Sequence, residues 1–209
     1  NYMVNSILIT VVTVCFVILL SCTFSFMLAR FPFKGSGILI GLFFAGMMIP
    51  VHCTLIPLYN MMNMAGLIDH LWALLFPYVA SSLPIAVFLT YGHYQQLPKE
   101  LEEAARIDGC SVTGMFFRVF LPLSKPVIST ISILTALSAW NEFMFANVFL
   151  SDPNQKTLPI GLLALKGTYS TDYAALCAAL TMSAVPIILV YVLMSNKIQS
   201  GMVAGAVKS

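Results

Sequence analysis

Apolar residues fill this chain in long runs, and the polar positions that interrupt them are few enough to be read one by one. Five stretches contain no Asp, Glu, Lys or Arg: 1–29, 35–68, 70–98, 126–141 and 173–196. A helix needs about 20 mostly apolar residues to cross the hydrocarbon core, and four stretches are that long. The other, 126–141, is short only because Glu142 interrupts an apolar run that continues to Leu150. The pattern predicts an all-α integral membrane protein with about five spanning helices, near 4–29, 37–58, 71–95, 125–150 and 173–196. A separate soluble domain is not expected.

The connections carry their own signals. "ARFPFKGSG" after the first span, with Pro32, two glycines and two cations, reads as a tight turn. In the second span Gly37, Gly41 and Ala45 fall four apart on one face, which permits close helix contact. Pro50 and Pro57 should kink or end that span, and "NMMNMAGLIDH" reads as an interfacial loop. Pro77 and Pro84 lie inside the third span, where neighbouring helices can re-satisfy the freed carbonyls. A second outer loop, "SDPNQKTLPIGLLALKGTYSTD", precedes the fifth span. There Ala174 and Ala178, and Ala175 and Ala179, again form four-spaced small faces.

Composition narrows the class. Of 209 residues 59% are hydrophobic and only 9% charged, against about 25% charged in soluble domains. The net charge of +2 gives no reason to expect nucleic acid. The distribution of cations says more. Arg30, Lys34, Lys99, Arg106, Arg118, Lys125, Lys197 and Lys208 fall in one set of alternate connections, and only Lys156 and Lys166 in the other. Lys and Arg favour the cytoplasmic side. That places 96–125 and the 197–209 tail in the cytoplasm and residue 1 outside, so a further helix is expected before Asn1. The first span is too long for a signal peptide and lacks a charged leader. The five cysteines show no ligand or CxxC spacing and read as small apolar residues.

One short stretch departs from all this. "ELEEAARIDG", 100–109, holds five charged side chains. Pro98 suits a helix start. Glu100, Glu102 and Glu103 suit the positive end of the helix dipole. Glu102 and Arg106 pair at i, i+4. Gly109 suits a left-handed terminator, and Ser111 can cap a second short helix ending near Leu121-Pro122. The prediction is a helix–glycine–helix unit at the membrane surface. By spacing alone it reads equally as a docking helix or as a solvated linker.

"EAARIDG" followed nine residues later by "VFLP" resembles the EAA loop of ABC importer permeases. The family pattern is Glu-Ala-Ala, three residues, Gly, nine residues, Ile-x-Leu-Pro. Here Glu103-Ala104-Ala105 is followed by Gly109 and Val119-Phe120-Leu121-Pro122, with Val for Ile as the departure. "NSILIT", "ARFPFKG", "MMIPVHCTLIPLY", "LPKELEEAARIDG", "LPLSKP", "AWNEF" and the tail "GMVAGAVKS" resemble the carbohydrate-uptake branch, and in particular the smaller permease of maltose-type and glycerol-phosphate-type importers.

That resemblance implies one permease domain over 1–209 lacking the first of six spans, with its coupling loop at 96–125 and a cytoplasmic tail at 197–209. It implies a bacterial-type inner membrane, a second homologous permease, two copies of a cytoplasmic ATPase subunit, an extracellular solute-binding protein and a sugar substrate. ATP and Mg would sit on the ATPase subunits, with no cofactor on this chain. Glu103, Ala104, Ala105 and Gly109 would form the coupling core, Glu103 in polar contact, the alanines allowing close approach and Gly109 setting the bend. Arg106 and Asp108 would flank it, with Leu121 and Pro122 closing the motif. Whether the tail also reaches the ATPase stays open.

ATP hydrolysis is not expected of this chain. "GLLALKGT" at 161–168 reverses the Lys and Gly of a phosphate-binding loop. Glu142 is the carboxylate embedded in a predicted span, and such a residue usually faces the bundle interior or a water-filled path. It shares a face with Thr135 and Ser138, with Asn141 beside it and Trp140 available for stacking on a sugar ring. Ser138, Trp140, Asn141 and Glu142 are the candidate translocation-path residues. The alternative is that Glu142 bonds a neighbouring helix. His52, His70 and His93 fall near span ends and suit interfacial or packing roles. A self-sufficient ion-coupled carrier is the rival reading, but it usually needs ionisable groups near the midplane, and only Glu142 offers one.

Overall fold

A computed structural model describes residues 1–165 and 173–206 of the chain. All its described regular structure is helical. In chain order the helices are α1 (Tyr2–Arg30), α2 (Ser36–Met47), α3 (Leu55–Met64), α4 (Leu75–Gln96), α5 (Glu100–Ile107), α6 (Val112–Met115), α7 (Leu121–Leu123), α8 (Lys125–Asn141), α9 (Met144–Phe149), α10 (Leu158–Ala164) and α11 (Tyr173–Ala206). Tight 3-10 turns at Val51–Thr54 and Leu71–Leu74 lead into α3 and α4, and a π-helical turn, Phe116–Phe120, joins α6 to α7.

Among the described residues two helical stretches are long and apolar enough to cross a membrane, Tyr2–Arg30 and Leu71–Gln96. The number rises to four if each of two bent pairs is one span, and Tyr173–Leu189 is a shorter apolar segment. Two of the five expected spans are broken. The second breaks at Pro50, as expected of a residue with no N–H to continue α2. Pro57, in the first turn of α3, is tolerated there, and the helix continues through "NMMNM" to Met64 where a loop was expected. The fourth breaks at Glu142 between α8 and α9. The expected outer loop after it contains α10. Helix α11 continues through the first ten residues of the expected tail. Residues 207–209, with Lys208, and 166–172, with Lys166 and the end of "GLLALKGT", lie outside the described residues.

The chain forms two compact units. The first holds 1–15, 50–81 and 133–194. Its core joins Ile9 of α1, Met62 of α3, Leu74 of the turn before α4, Tyr78 of α4, Ala139 of α8 and Phe145 and Phe149 of α9, all buried. Polar staples close its rim. Asn5 Nδ2 donates to the carbonyls of Asn154 and Lys156 at 2.8 and 2.9 Å. Ser6 Oγ accepts the Leu158 N–H at 2.8 Å and so starts α10. Tyr2 lies so close to Gly161 that a Cβ there would sit 2.6 Å from its ring.

The second unit holds 16–49, 82–132 and 195–209. Ser25 and Thr90, both buried, bond each other between α1 and α4. The close approach of α2 to α4 runs through Gly46, whose missing Cβ would lie 3.4 Å from Pro84 Cγ. Gly37 and Gly41, the expected packing face, meet open space instead. The turn after α1 forms as expected, with Gly35 at φ 105°. Arg30 at the end of α1 donates to the carbonyls of Tyr94 and of Leu97, the latter at 2.6 Å, and lies 5.0 Å over the Phe120 ring. One cation thus serves two carbonyls at the end of α4, where the helix has no further turn to pair them fully; that of Tyr94 also accepts the Leu97 N–H.

Candidate functional site

Helix α5 is built from local rules. The Lys99 carbonyl accepts the N–H groups of Glu102 and Glu103 at 2.9 and 3.1 Å, and three glutamates occupy the first turn. Pro98 stands just outside the helix rather than opening it. Arg106 donates to Glu102 Oε1 at 2.6 Å and lies 5.7 Å over the Phe31 ring. Termination follows the Schellman pattern. The Gly109 N–H reaches the Arg106 carbonyl at 3.0 Å, the Cys110 N–H reaches that of Ala105 at 2.9 Å, and Gly109 has φ 74°. Ser111 Oγ then accepts the Gly114 N–H at 3.1 Å and caps α6.

The two alanines of the motif part company. Ala105 is buried with Cys22, Phe26, Tyr94, Met115, Phe116 and Phe120. Ala104 is exposed. Close approach by an outside partner is therefore open at Ala104, while Ala105 serves this chain's own packing. The outward face carries Glu103, Ala104, Ile107 and Asp108, with Ile107 86% exposed. An apolar centre bracketed by carboxylates suits a groove with an apolar floor and a basic rim. Leu121 is half-buried and Pro122 exposed at the far end of the unit. Ile107, the most exposed apolar residue of α5, was not among the sequence-derived candidates, although its i+4 spacing from Glu103 was visible.

The other candidate set lies at the α8–α9 break. Glu142 accepts the Tyr78 hydroxyl at 2.7 Å and the N–H groups of Phe145 and Ala146 at 2.8 and 3.2 Å. It starts α9 and ties it to α4 within the first unit. Trp140 is buried and donates its indole N–H to the Ser183 carbonyl of α11 at 3.3 Å. Ser138 and Asn141 are exposed, Asn141 donating back to the Leu137 carbonyl at 2.9 Å. Thr135, expected on the same face, is buried. The structure thus gives Glu142 and Trp140 partners inside the chain and leaves Ser138 and Asn141 on the surface of α8. Nearby, α1, α8 and α11 line a cavity of about 490 Å³ whose walls are apolar except for Thr10. Such walls do not fit a hydroxyl-rich solute, whose groups would lose water without new partners.

Residues 21–199 match the family model for the binding-protein-dependent transport system inner membrane component. The chain belongs to that family. It is similar along its length to named permeases. The probable ABC transporter permease protein YurM of Bacillus subtilis is 41% identical, the match covering 100% of this chain and 69% of the relative. The sulfoquinovosyl glycerol transport system permease protein SmoH of Agrobacterium fabrum is 32% identical over 99% of this chain and 73% of the relative. The trehalose/maltose transport system permease protein MalG of Thermococcus litoralis is 33% identical over 99% and 75%. A bacterial ABC transporter involved in import of the acidic polysaccharide alginate shares the fold, with TM-score 0.82 and 23% identity, covering 93% of this chain and 73% of that one. The MetNI methionine ABC transporter matches with TM-score 0.69 and 15% identity, over 94% and 93%.

The permease is a transport subunit of the membrane, and its family sets the self-sufficient carrier aside. The rarity of ionisable groups in its apolar helices agrees, since a permease driven by a separate ATPase needs no ion relay of its own.

Proposed function

We propose that this permease forms part of the path for a sugar or sugar-like solute, and that α5 and the turn after it couple that path to a cytoplasmic ATPase. Sugar-derived solutes are named for several relatives, and the carbohydrate-branch motifs run along the whole chain. The coupling role rests on one observation: Glu103, Ala104, Ile107 and Asp108 form an outward face without partners among the described residues, on a helix anchored through Ala105 and stopped by Gly109. An anchored helix passes force to the helices it packs on.

On this reading 1–209 is one permease domain, 96–125 its cytoplasmic coupling loop and 197–209 its cytoplasmic tail. The bent pairs and Tyr173–Leu189 complete five spans. The complex contains a second permease, two ATPase subunits that hold ATP and Mg, and an extracellular binding protein. Ser138 and Asn141 face the solute path, while Trp140 and Glu142 hold the broken helix that presents them. The test is reconstitution with the partner subunits, comparing Glu103→Arg and Ile107→Asp with the parent. We expect each variant to insert and assemble with the second permease but to lose at least about tenfold in solute-stimulated ATP hydrolysis, the scale of a disrupted hot spot. Parent-like uptake in both would overturn the coupling assignment.

A further inference from the structure

The two arms of the helix–glycine–helix unit carry opposite charge. Between Lys99 and Lys125 every acid, Glu100, Glu102, Glu103 and Asp108, precedes Gly109, and 110–125 holds only Arg118 and Lys125. Neither cation's side chain makes an ion pair or hydrogen bond among the described residues.

The second arm also has an unusual exposed stripe. Met115, Phe116, Phe120 and Ser124 are buried. The exposed positions fall in pairs five apart: Val112 with Thr113, Phe117 with Arg118, Pro122 with Leu123. The π-helical turn Phe116–Phe120 widens the spacing and keeps these pairs on one side. Phe117 is 59% exposed, Val112 44% and Leu123 42%. At Ser124 the chain bends by 75° into α8. A segment set steeply across a membrane-crossing helix runs along the bilayer surface. A ring and aliphatic groups beside unpaired cations on such a segment match the chemistry of the interface. Apolar groups enter the headgroup–acyl boundary while cations meet lipid phosphates.

We propose that Phe117, Arg118, Leu123 and Lys125 seat anionic phospholipid, the two cations on its headgroup phosphates and the two apolar side chains among the first acyl carbons. This rests on the reading of α8 as a membrane-crossing helix and is separate from ATPase docking at Ile107. The acidic arm would then face protein and the basic arm the bilayer, so the lipid sets the height of the lever on which α5 rides.

The test is photocrosslinking in the reconstituted importer, in nanodiscs of mixed phosphatidylcholine and phosphatidylglycerol, with p-benzoyl-phenylalanine in place of Phe117. We expect the ratio of phosphatidylglycerol to phosphatidylcholine adducts to exceed the ratio of the two lipids in the disc by roughly fivefold for each cation engaged, falling to the lipid ratio with Arg118→Gln plus Lys125→Gln and falling in high salt. Lipid adducts in simple proportion to composition, adducts to a protein subunit, or no adducts would each overturn the proposal. The same crosslinker at Ile107 reads ATPase docking independently: its failure there removes the coupling reading and leaves the lipid seat standing or falling on the Phe117 result.

Discussion

The Tyr78 hydroxyl donates to Glu142 Oε2 at 2.7 Å, and the same carboxylate receives the first free N–H groups of α9. A carboxylate inside an apolar run is thereby used to restart a helix. Tyr78→Phe removes one donor and leaves the two amides, so it should cost about 1 kcal/mol. Glu142→Ala strands the buried Tyr78 hydroxyl and both amides and should cost about 3 kcal/mol or more. Glu142→Gln, which keeps an acceptor, should fall between. Thermal unfolding in mild detergent checks the order, and equal losses in Tyr78→Phe and Glu142→Ala would contradict it.

Arg30 holds the end of α4 through two carbonyls and the Phe120 ring. A guanidinium can do this with one planar group, while an ammonium cannot. Arg30→Lys should therefore recover less than half of what Arg30→Ala loses, with a loss of about 2 kcal/mol for the alanine. Amide hydrogen exchange at 94–97 should rise in both variants.

The features legible in advance were those decided by neighbours in sequence. Gly109, Ser111 and the Glu102–Arg106 pair follow from spacing of five residues or fewer, and each stands where the pattern put it. The break at Pro50 was legible in the proline itself, which has no N–H to continue a helix. The break at Glu142 was not, because hydropathy registers what a segment would rather avoid, and both sides of Glu142 avoid water equally. The role of Glu142 needed Tyr78, 64 residues away. Ala104 and Ala105 are identical as letters, and only the packing of Phe116 and Phe120 decides which one is buried. Gly46 rather than Gly37 or Gly41 makes the close approach because Pro84 stands opposite it, a pairing no single-helix pattern contains.

Asp69 has φ 64°, and its Oδ1 accepts the N–H groups of Ser151 and Asp152. The Ser151 bond first, then that of Asp152, hold its carboxyl below the ordinary value. A depressed folded-state pKa contributes stability above the unfolded value, about 3.9 for Asp, and loses it as pH falls toward the folded one. Asp69→Asn tolerates the backbone and keeps an acceptor but not the charge. The stability difference between parent and variant should be constant at neutral pH, shrink below about pH 4 and vanish in stronger acid. A difference that grows on acidification would refute the assignment.

Gly161 has no room for a Cβ because the Tyr2 ring fills the space at 2.6 Å. Gly161→Ala should destabilise by about 1–3 kcal/mol through overpacking. In Tyr2→Ala the same substitution should cost far less, giving a coupling energy of at least about 1 kcal/mol in a double-mutant cycle. Additive losses would mean that Gly161 is needed for its backbone rather than for the space.

Gly109 differs from Gly161 in the origin of its constraint. A Cβ at Gly109 would meet nothing within 4 Å, yet φ is 74°. Its requirement is conformational, so substitutions should rank by tolerance of the left-handed region and not by size. Gly109→Asn should be mildest, Gly109→Ala should cost about 1 kcal/mol, and Gly109→Val more. Gly109→Pro fixes φ near −65° and removes the N–H that bonds the Arg106 carbonyl, so it should release the end of α5. Its ATP hydrolysis should persist without uptake once the partner subunits are present. If the Val variant transported as well as the Asn variant, the turn would be incidental to coupling, and α5 would have to act without a fixed bend behind it.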